Sequence, residues 1–289
     1  MPPTPARTLA LVVGMVLAPA GLVGCGGSAA QTSDDIRLTV TRDFGRQALV
    51  DGATERAPAN GGLTRILAPY GNPRARQSLF VNGILADEPP SEVDVHPGDR
   101  VWLDQHRSTV APAVTAVVGS FPEPFVHGTG GKRLPVRVEC DDPRSGPCGA
   151  VAEKLVSLGV VAGRSALSRS AADDTLRVLV GPWSRLRGGD VEADRIDEGP
   201  RASGVFARFD ASGGRLAVLD PAGRPARVLG ARTGFIATTA ATDRRPVWFV
   251  TGTDEAGVQA AARAFDESVL ADRFALAIAR DLPVAVPLP

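Results

Sequence analysis

The sequence has few of the residues that carry enzyme chemistry. Its 289 residues include three His, three Cys, two Met and one Tyr, and it contains no nucleophile-elbow, zincin, Walker or zinc-finger motif. Basic and acidic residues number 32 each, and Lys and Arg are not clustered as they are in nucleic-acid-binding proteins. These absences favour a non-catalytic protein with no cofactor, no metal and no nucleic-acid partner.

The first segment has the order of a secretory signal. Residues 1–7 carry one positive charge, and residues 8–23 are apolar or small and uncharged, as in the n-region and h-region of a signal peptide. The apolar run is shorter than the roughly 20 residues of a membrane-spanning helix. The alternatives are an ordinary cleaved signal and a transmembrane anchor.

The end of this segment carries a recognisable motif. Leu22-Val23-Gly24-Cys25 resembles the lipobox of bacterial lipoproteins. That resemblance implies that residues 1–24 are removed, that lipid is attached to Cys25, and that the protein is held in the bilayer at the extracytoplasmic face of the cell membrane. Residues 25–35, rich in Gly, Ser, Ala and Gln, are expected to form a flexible tether.

The other two cysteines lie close together. Cys140 and Cys148 enclose a turn-rich sequence with two Pro and one Gly, and a pair at this spacing in an oxidising compartment predicts a disulfide. The alternatives are a redox pair or two metal ligands. The spacing is not Cys-x-x-Cys and no His or second Cys pair lies nearby in the sequence, which favours the disulfide.

Residues 36–126 are expected to form the first domain. Ile36, Leu38 and Val40 alternate with polar residues, which predicts a strand with one buried face. An Ala-rich polar stretch to about Leu67 is weakly helical in pattern. Asn82-Gly83 between two apolar runs predicts a type I′ hairpin, because both residues accept positive φ.

Two motifs in this region resemble the transcobalamin C-terminal-like family of small β-grasp domains. They are Phe80-Val81-Asn82-Gly83 and His96-Pro97-Gly98-Asp99-Arg100-Val101-Trp102. The resemblance spans roughly residues 36–126. It implies a β-grasp fold and contact with a small nutrient, such as a cobalamin-like ligand, or with a protein of an uptake system.

Residues 127–289 are expected to form a second domain with a mostly antiparallel sheet, so the fold class is α+β. Segments 205–209, 215–219 and 226–229 predict an antiparallel meander. A strand at 246–251 enters a helix that Thr253 can cap. Val269, Leu270, Phe274 and Ile278 continue an apolar helical stripe, and the glycine-rich residues 119–132 are expected to link the two domains.

The strongest candidate for a ligand site is a cluster of polar and aromatic residues, namely Trp102, Asp104 and His106. These alternate residues are expected to share one face of a strand. That face could be a ligand platform or a metal half-site with one carboxylate. It could equally be the solvent-facing side of an antiparallel sheet, which is the commoner origin of such alternation.

Two classes of function follow from these observations. The first is a membrane-anchored extracytoplasmic lipoprotein that acts as a non-catalytic ligand-binding or protein-interaction module, accessory to nutrient uptake. The second is an envelope hydrolase or carbohydrate-processing enzyme whose carboxylates meet only in the fold, within about 5 to 10 Å of each other. A structural protein of the envelope is the third alternative.

Overall fold

The computed structural model describes Met1 and residues 34–58, 62–71, 76–107, 114–168, 174–240 and 245–289. The expected signal peptide after Met1, Cys25 and nearly all of the expected tether lie outside the described residues. Ser33–Pro289 forms one compact unit. Within the described residues, no helix is long and apolar enough to cross a membrane.

The first part of this unit is a mixed five-stranded sheet with one helix. Its elements are β1 (Asp35–Arg42), β2 (Gln47–Arg56), α1 (Gly62–Leu67), β3 (Arg76–Val81), β4 (Ile84–Leu85) and β5 (Arg100–His106). The strand order is β2-β1-β5-β3-β4, with β1 parallel to β5 and the other neighbours antiparallel. This is the β-grasp arrangement expected from the sequence.

The interior of this sheet follows the predicted alternation. Ile36, Leu38 and Val40 are buried and form one core cluster with Leu63 and Leu67 of α1. Asn82 and Gly83 have φ of 51° and 78°, as a type I′ turn requires. The stretch to about Leu67 that has a weakly helical pattern is helical only at its end, in α1. Its earlier part contains β2, which pairs with β1.

The second part contains ten strands and six helices among the described residues. They are β6 (Val136–Cys140), α2 (Gly146–Ser157), β7 (Ala162–Ala166), β8 (Leu176–Pro182), α3 (Trp183–Leu186), α4 (Val191–Glu198), α5 (Pro200–Ser203), β9 (Ala207–Phe209), β10 (Leu216–Leu219), β11 (Pro225–Leu229), β12 (Gly234–Thr239), β13 (Val247–Gly252), α6 (Glu255–Ala264), α7 (Glu267–Leu270), β14 (Ala275–Ala279) and β15 (Leu282–Val286). The α+β class is therefore confirmed.

Two sheets are built from these strands. The larger has the order β15-β14-β12-β13-β8-β6-β7. Its half from β13 to β7 is parallel and its half from β13 to β15 is antiparallel. Strands β9, β10 and β11 form the predicted antiparallel meander, so antiparallel pairings outnumber parallel ones across the two sheets.

Two local predictions in this part are wrong. The helical stripe expected through Phe274 and Ile278 ends at Leu270, and β14 follows. Asp272 between them has φ of 58°, which breaks the helical path. β14 is apolar on both faces because Ala275 and Ala277 are buried in one core cluster, whereas Leu276 and Ile278 are buried in another. The cap of α6 is Asp254, whose carboxylate accepts a hydrogen bond of 2.8 Å from the Gly257 N–H, and not Thr253.

The disulfide prediction is confirmed. Cys140 at the end of β6 and Cys148 in the first turn of α2 are bonded, with a Cα–Cα distance of 6.0 Å. Both residues are buried. Ser145 caps the same helix by accepting a hydrogen bond from the Cys148 N–H, so the disulfide fixes the point where the strand passes into the helix.

The two parts share one aromatic cluster. Phe44, Phe80 and Trp102 of the first sheet pack on Phe274, which precedes β14, with ring centroids 5.1, 5.7 and 5.3 Å from that of Phe274. The segment expected to be a linker is also packed, because Phe121 and Phe125 are buried among the residues of the larger sheet.

Candidate binding cleft

The three residues of the expected ligand face do share one face of β5, but that face is buried. Trp102, Asp104 and His106 are 2%, 0% and 4% exposed, and they lie against the second part of the protein. The expectation of a solvent-facing side or an open platform is therefore corrected. The opposite residues Val101 and Leu103 are also buried, so β5 is an interior strand on both sides.

The carboxylate of Asp104 stabilises the β1–β2 turn through several hydrogen bonds. Its carboxylate accepts hydrogen bonds from the Thr41 hydroxyl and from the N–H groups of Phe44 (3.2 Å) and Gly45 (3.1 Å). His106 Nδ1 lies 2.8 Å from Asp104 Oδ2. A buried carboxylate needs this many partners, so these contacts give Asp104 a structural role.

The motifs that carry the family resemblance also have structural roles. Asn82 Nδ2 donates hydrogen bonds to Asp99 Oδ1 (2.7 Å) and to the Gly128 carbonyl (2.8 Å). Asn82 Oδ1 accepts from the Arg100 N–H at 2.8 Å, and Asp99 Oδ2 accepts from the His96 N–H at 2.7 Å. This network joins the β3–β4 hairpin to the turn before β5 and to the segment after residue 120.

A polar cleft lies next to this buried strand. It is bounded by β1, β2 and β5 on one side and by α7 and the turn after it on the other, and its cavity volume is about 40 Å³. That is room for roughly three water molecules. Of the three expected ligand-face residues, only Trp102 borders it.

Two arginines in the cleft are already paired. Arg37 and Arg100 are neighbours in the parallel register of β1 and β5. Their guanidinium groups converge on Glu267 Oε1, at 3.5 Å from Arg37 Nη1 and 2.6 Å from Arg100 Nη2. Arg100 also donates a 2.9 Å hydrogen bond to the Phe121 carbonyl. Glu267 thus ties α7 to the first sheet.

Two further carboxylates line the cleft. They belong to Asp51 of β2 and to Asp272, and Asp272 interacts electrostatically with Arg37, Arg100 and Arg273. Burial, reinforced by the charge of Asp51, raises the pKa of Asp272, although Arg37 and Arg273 oppose the shift. Asp272 also has a left-handed φ, which is uncommon outside glycine.

The floor of the cleft is made by the turn at residues 118–120. A Cβ atom at Gly119 would lie 2.7 Å from Trp102 Cζ3 and 2.6 Å from the Arg273 nitrogen, so the two parts can approach this closely only with glycine there. Ser120 borders the cleft. It is 2% exposed, and its Oγ has no hydrogen-bond partner within the described residues.

The sequence alone does not predict this cleft. Arg37 and Arg100 each stand near the start of a strand on the face opposite the core, and their pairing could have been inferred only from a correct parallel register. Glu267 and Asp272 lie far along the chain, inside the stretch expected to be helical, and no local pattern connects them to β1. Across the described residues, no group of three His, Cys, Asp or Glu could hold a metal ion.

No relative of this chain was identified among the known proteins with which it was compared. No family model matches the chain, and no curated protein matches its sequence. The lipobox-like and transcobalamin-like resemblances therefore depend on their quoted motifs alone.

Proposed function

We propose that the protein is a lipoprotein anchored by Cys25 at the extracytoplasmic face of the cell membrane, where it binds a small polar ligand as an accessory to nutrient uptake. The cleft between the first sheet and α7 carries this proposal. It combines an aromatic edge, two arginines and three carboxylates. Binding sites typically combine a concave surface with a few convergent polar groups.

The size of the cleft limits the ligand. Sites that enclose drug-sized molecules have volumes of about 300 to 1,000 Å³, whereas this cleft has about 40 Å³. A cobalamin-like ligand would not fit inside it. We therefore propose a ligand whose polar end enters the cleft while the remainder lies in solvent or against a partner protein of the uptake system.

The anchor is tested by fractionating cells that express the full chain. We expect the wild type in the membrane fraction, and a Cys25→Ser variant in the soluble extracytoplasmic fraction, because no acyl chain can then be attached. A Cys140→Ser, Cys148→Ser double variant is the control, since it removes the other cysteines and should leave the remaining protein in the membrane fraction. Equal distribution of wild type and Cys25→Ser would refute the anchor.

Ligand binding is tested by thermal shift with a panel of small nutrients, together with pull-down of uptake proteins by the full chain. A bound ligand raises the midpoint of unfolding. We expect at least one ligand or partner whose effect is lost when Arg100→Ala disrupts the cleft. If neither method detects binding at physiological concentrations, the binding function is wrong.

One observation favours a second function, that of a hydrolase. Asp51 and Asp272 line the same cleft, and their environments differ because burial raises the pKa of Asp272. Two carboxylates in different environments are typical of acid–base pairs. Assays with chromogenic glycosides and esters test it: a hydrolase requires turnover by the wild type that Asp272→Asn abolishes.

A further inference from the structure

The larger sheet ends in a strand with one unpaired side. Among the described strands, β7 pairs only with β6. The N–H of Leu167, which follows β7, donates to the Cys140 carbonyl at 3.1 Å, and alternate residues of a parallel strand bond to the same neighbour. The N–H and C=O groups of Ala162, Arg164 and Ala166 therefore face away from β6. This free edge is separate from the cleft, so a role for it is independent of the binding function proposed above.

The other edges of the described sheets carry features that oppose pairing. β15 contains Pro283 and β11 begins with Pro225, and proline has no N–H to donate. The pairing of β2 with β1 is irregular, while β4 has two residues and β9 has three. Bulges and short length protect edge strands from pairing with another chain. In contrast, β7 has five residues, a continuous register with β6 and no proline, so it is the edge best suited to pairing.

Two exposed valines lie beside the free edge. Val161, which directly precedes β7, is 89% exposed. Val156 is in the last turn of α2, the helix that contacts β7, and is 57% exposed. Single exposed apolar residues are ordinary, but these two adjoin an unpaired strand. Pairing at this edge would remove apolar surface from water and also satisfy the backbone groups.

We propose that the free edge of β7 pairs with the same edge of a second copy of the chain. The two strands would be antiparallel and related by a two-fold axis, so that both copies use the same surface, as in most homodimers. Their seven-stranded sheets would then form one continuous sheet. Apart from Arg164, the residues of β7 are Ala, Gly and Ser, so no large side chain lies between the two copies.

The charges beside the edge favour a second copy over an unrelated strand. Arg164 is the only charged residue of β7. A Cβ atom at Gly149 would lie 3.6 Å from Arg164 Nη1 and 3.9 Å from Glu153 Oε1, so both charges lie on the α2 side of the edge, and both residues are exposed. A two-fold axis perpendicular to the sheet keeps the α2 sides together. Each Arg164 then faces Glu153 of the other copy, which offsets the repulsion between the two arginines.

The first experiment is sedimentation equilibrium of the full chain carrying Cys25→Ser, which has no acyl chain through which to associate. We expect a monomer–dimer equilibrium in which the dimer predominates at a chain concentration on the order of 100 μM, because a short strand pairing with little apolar area is a weak interface. A chain that is monomeric at this concentration overturns the pairing.

Two matched variants identify the edge. Val161→Glu should weaken dimerisation about tenfold or more, because pairing would take the new charge out of water. Leu282→Glu is the control. Leu282 is also exposed, at 66%, but it belongs to β15 at the opposite end of the same sheet, so this variant should dimerise like the parent chain. A dimer that is weakened by Leu282→Glu and not by Val161→Glu would show that β7 is not the interface.

A charge exchange tests the proposed two-fold arrangement. Glu153→Arg should weaken the dimer several-fold, because four arginines then meet at the interface. The double variant Glu153→Arg, Arg164→Glu should restore dimerisation, since opposite charges again face each other across the axis. A double variant as weak as Glu153→Arg alone would contradict this arrangement.

Distances between spin labels locate the two copies directly. A Cβ atom at Gly163 would meet no atom within 4 Å, so a label on Gly163→Cys should not disturb the fold, and in the Cys25→Ser chain it is the only free thiol. We expect the two labels to be less than about 25 Å apart, because paired strands are about 5 Å apart. Labels on Leu282→Cys should be about 60 Å apart, since all fourteen strands of the joined sheets lie between them. A dimer with a long distance at residue 163 would refute pairing through β7.

Discussion

Arg177 is the centre of a buried ionic network in β8. Its Nε and Nη2 donate hydrogen bonds of 2.9 and 2.8 Å to Glu139, Nη1 donates to Asp190, and Nη2 also donates to the Ser168 carbonyl. Burial alone would lower the pKa of Arg177, but its hydrogen bonds to Glu139 and Asp190, together with the charges of these carboxylates, outweigh burial and raise the pKa above its usual value. The guanidinium is therefore charged at neutral pH.

Replacing Arg177 with Met should be severely destabilising. The change leaves two buried carboxylates without a cation, and breaking a buried ion pair in this way costs about 3 to 5 kcal/mol. Urea denaturation measures the loss. The control is Arg263→Met, because Arg263 pairs with Asp281 on the surface with both side chains more than half exposed, and such a pair contributes about 0 to 1 kcal/mol. Equal losses in the two variants would show that the network is not stabilising.

Asp272 should make stability fall as the pH rises. Its folded-state pKa is raised by burial and by Asp51, so the folded protein binds this proton more tightly than the unfolded chain, whose Asp has a pKa of about 3.9. The stabilisation is therefore complete below pH ~3.9 and is lost as the pH rises through the raised folded-state pKa.

The measurable consequence is a pH-dependent effect of Asp272→Asn. At neutral pH the variant should be more stable than the wild type by about 1 kcal/mol or less, because the half-buried position reduces the effect. The difference should disappear near pH ~3, where Asp272 is protonated. Thermal unfolding at the two pH values measures it, with Asp281→Asn as control. A variant less stable than the wild type at neutral pH would contradict this prediction.

At the scale of secondary-structure elements, the sequence predicts the structure best where a local pattern is compatible with only one type of element. The alternation of Ile36, Leu38 and Val40 correctly predicts β1, and Asn82-Gly83 correctly predicts the hairpin turn. The sequence predicts poorly where a segment is apolar on both faces, because a buried strand and a buried helix then share one pattern. Residues 274–279 are such a segment. Pairing with the neighbouring strands of the sheet favours a strand over a helix there.

The disulfide holds β6 to the start of α2. Its loop is short, with a sequence separation of 8, so the loss of chain entropy in the unfolded state amounts to about 2 to 3 kcal/mol. We expect the Cys140→Ala, Cys148→Ala double variant to lose at least that much stability, since both side chains are buried. Urea denaturation of the oxidised wild type and the variant measures it. Equal midpoints would mean that the bond adds nothing to stability.

At the scale of the whole molecule, the binding cleft lay beyond what the sequence could predict. Arg37 and Glu267 meet because the parallel register of β1 and β5 places Arg37 beside Arg100, and both guanidinium groups contact Glu267 of α7. Trp102, Asp104 and His106 do share one face of β5, as expected, but that face is buried. Its burial was missed because alternation shows which residues share a face and not what covers that face. In this protein, that face of β5 is covered by Phe274 and its neighbours, which lie towards the other end of the chain.

That aromatic contact predicts how the protein unfolds. Phe274 contacts Phe44, Phe80 and Trp102 of the first sheet, and Ser33–Pro289 is one compact unit, so we expect residues 36–126 and 127–289 to unfold together. Urea unfolding followed by tryptophan fluorescence and by far-ultraviolet circular dichroism should give coincident transitions. Two separate transitions in the wild type would show instead two independent domains.

Phe274→Ala should weaken this coupling as well as the overall stability. Truncating a buried Phe costs about 3 to 5 kcal/mol, and here the lost contacts are those that join the two sheets. The transitions seen by the two probes should therefore separate in this variant. Phe235→Ala is the matched control, because Phe235 is equally buried but packs on Phe209 within the second part. Its loss should lower the midpoint while the two transitions remain coincident, since the contacts between the sheets are intact.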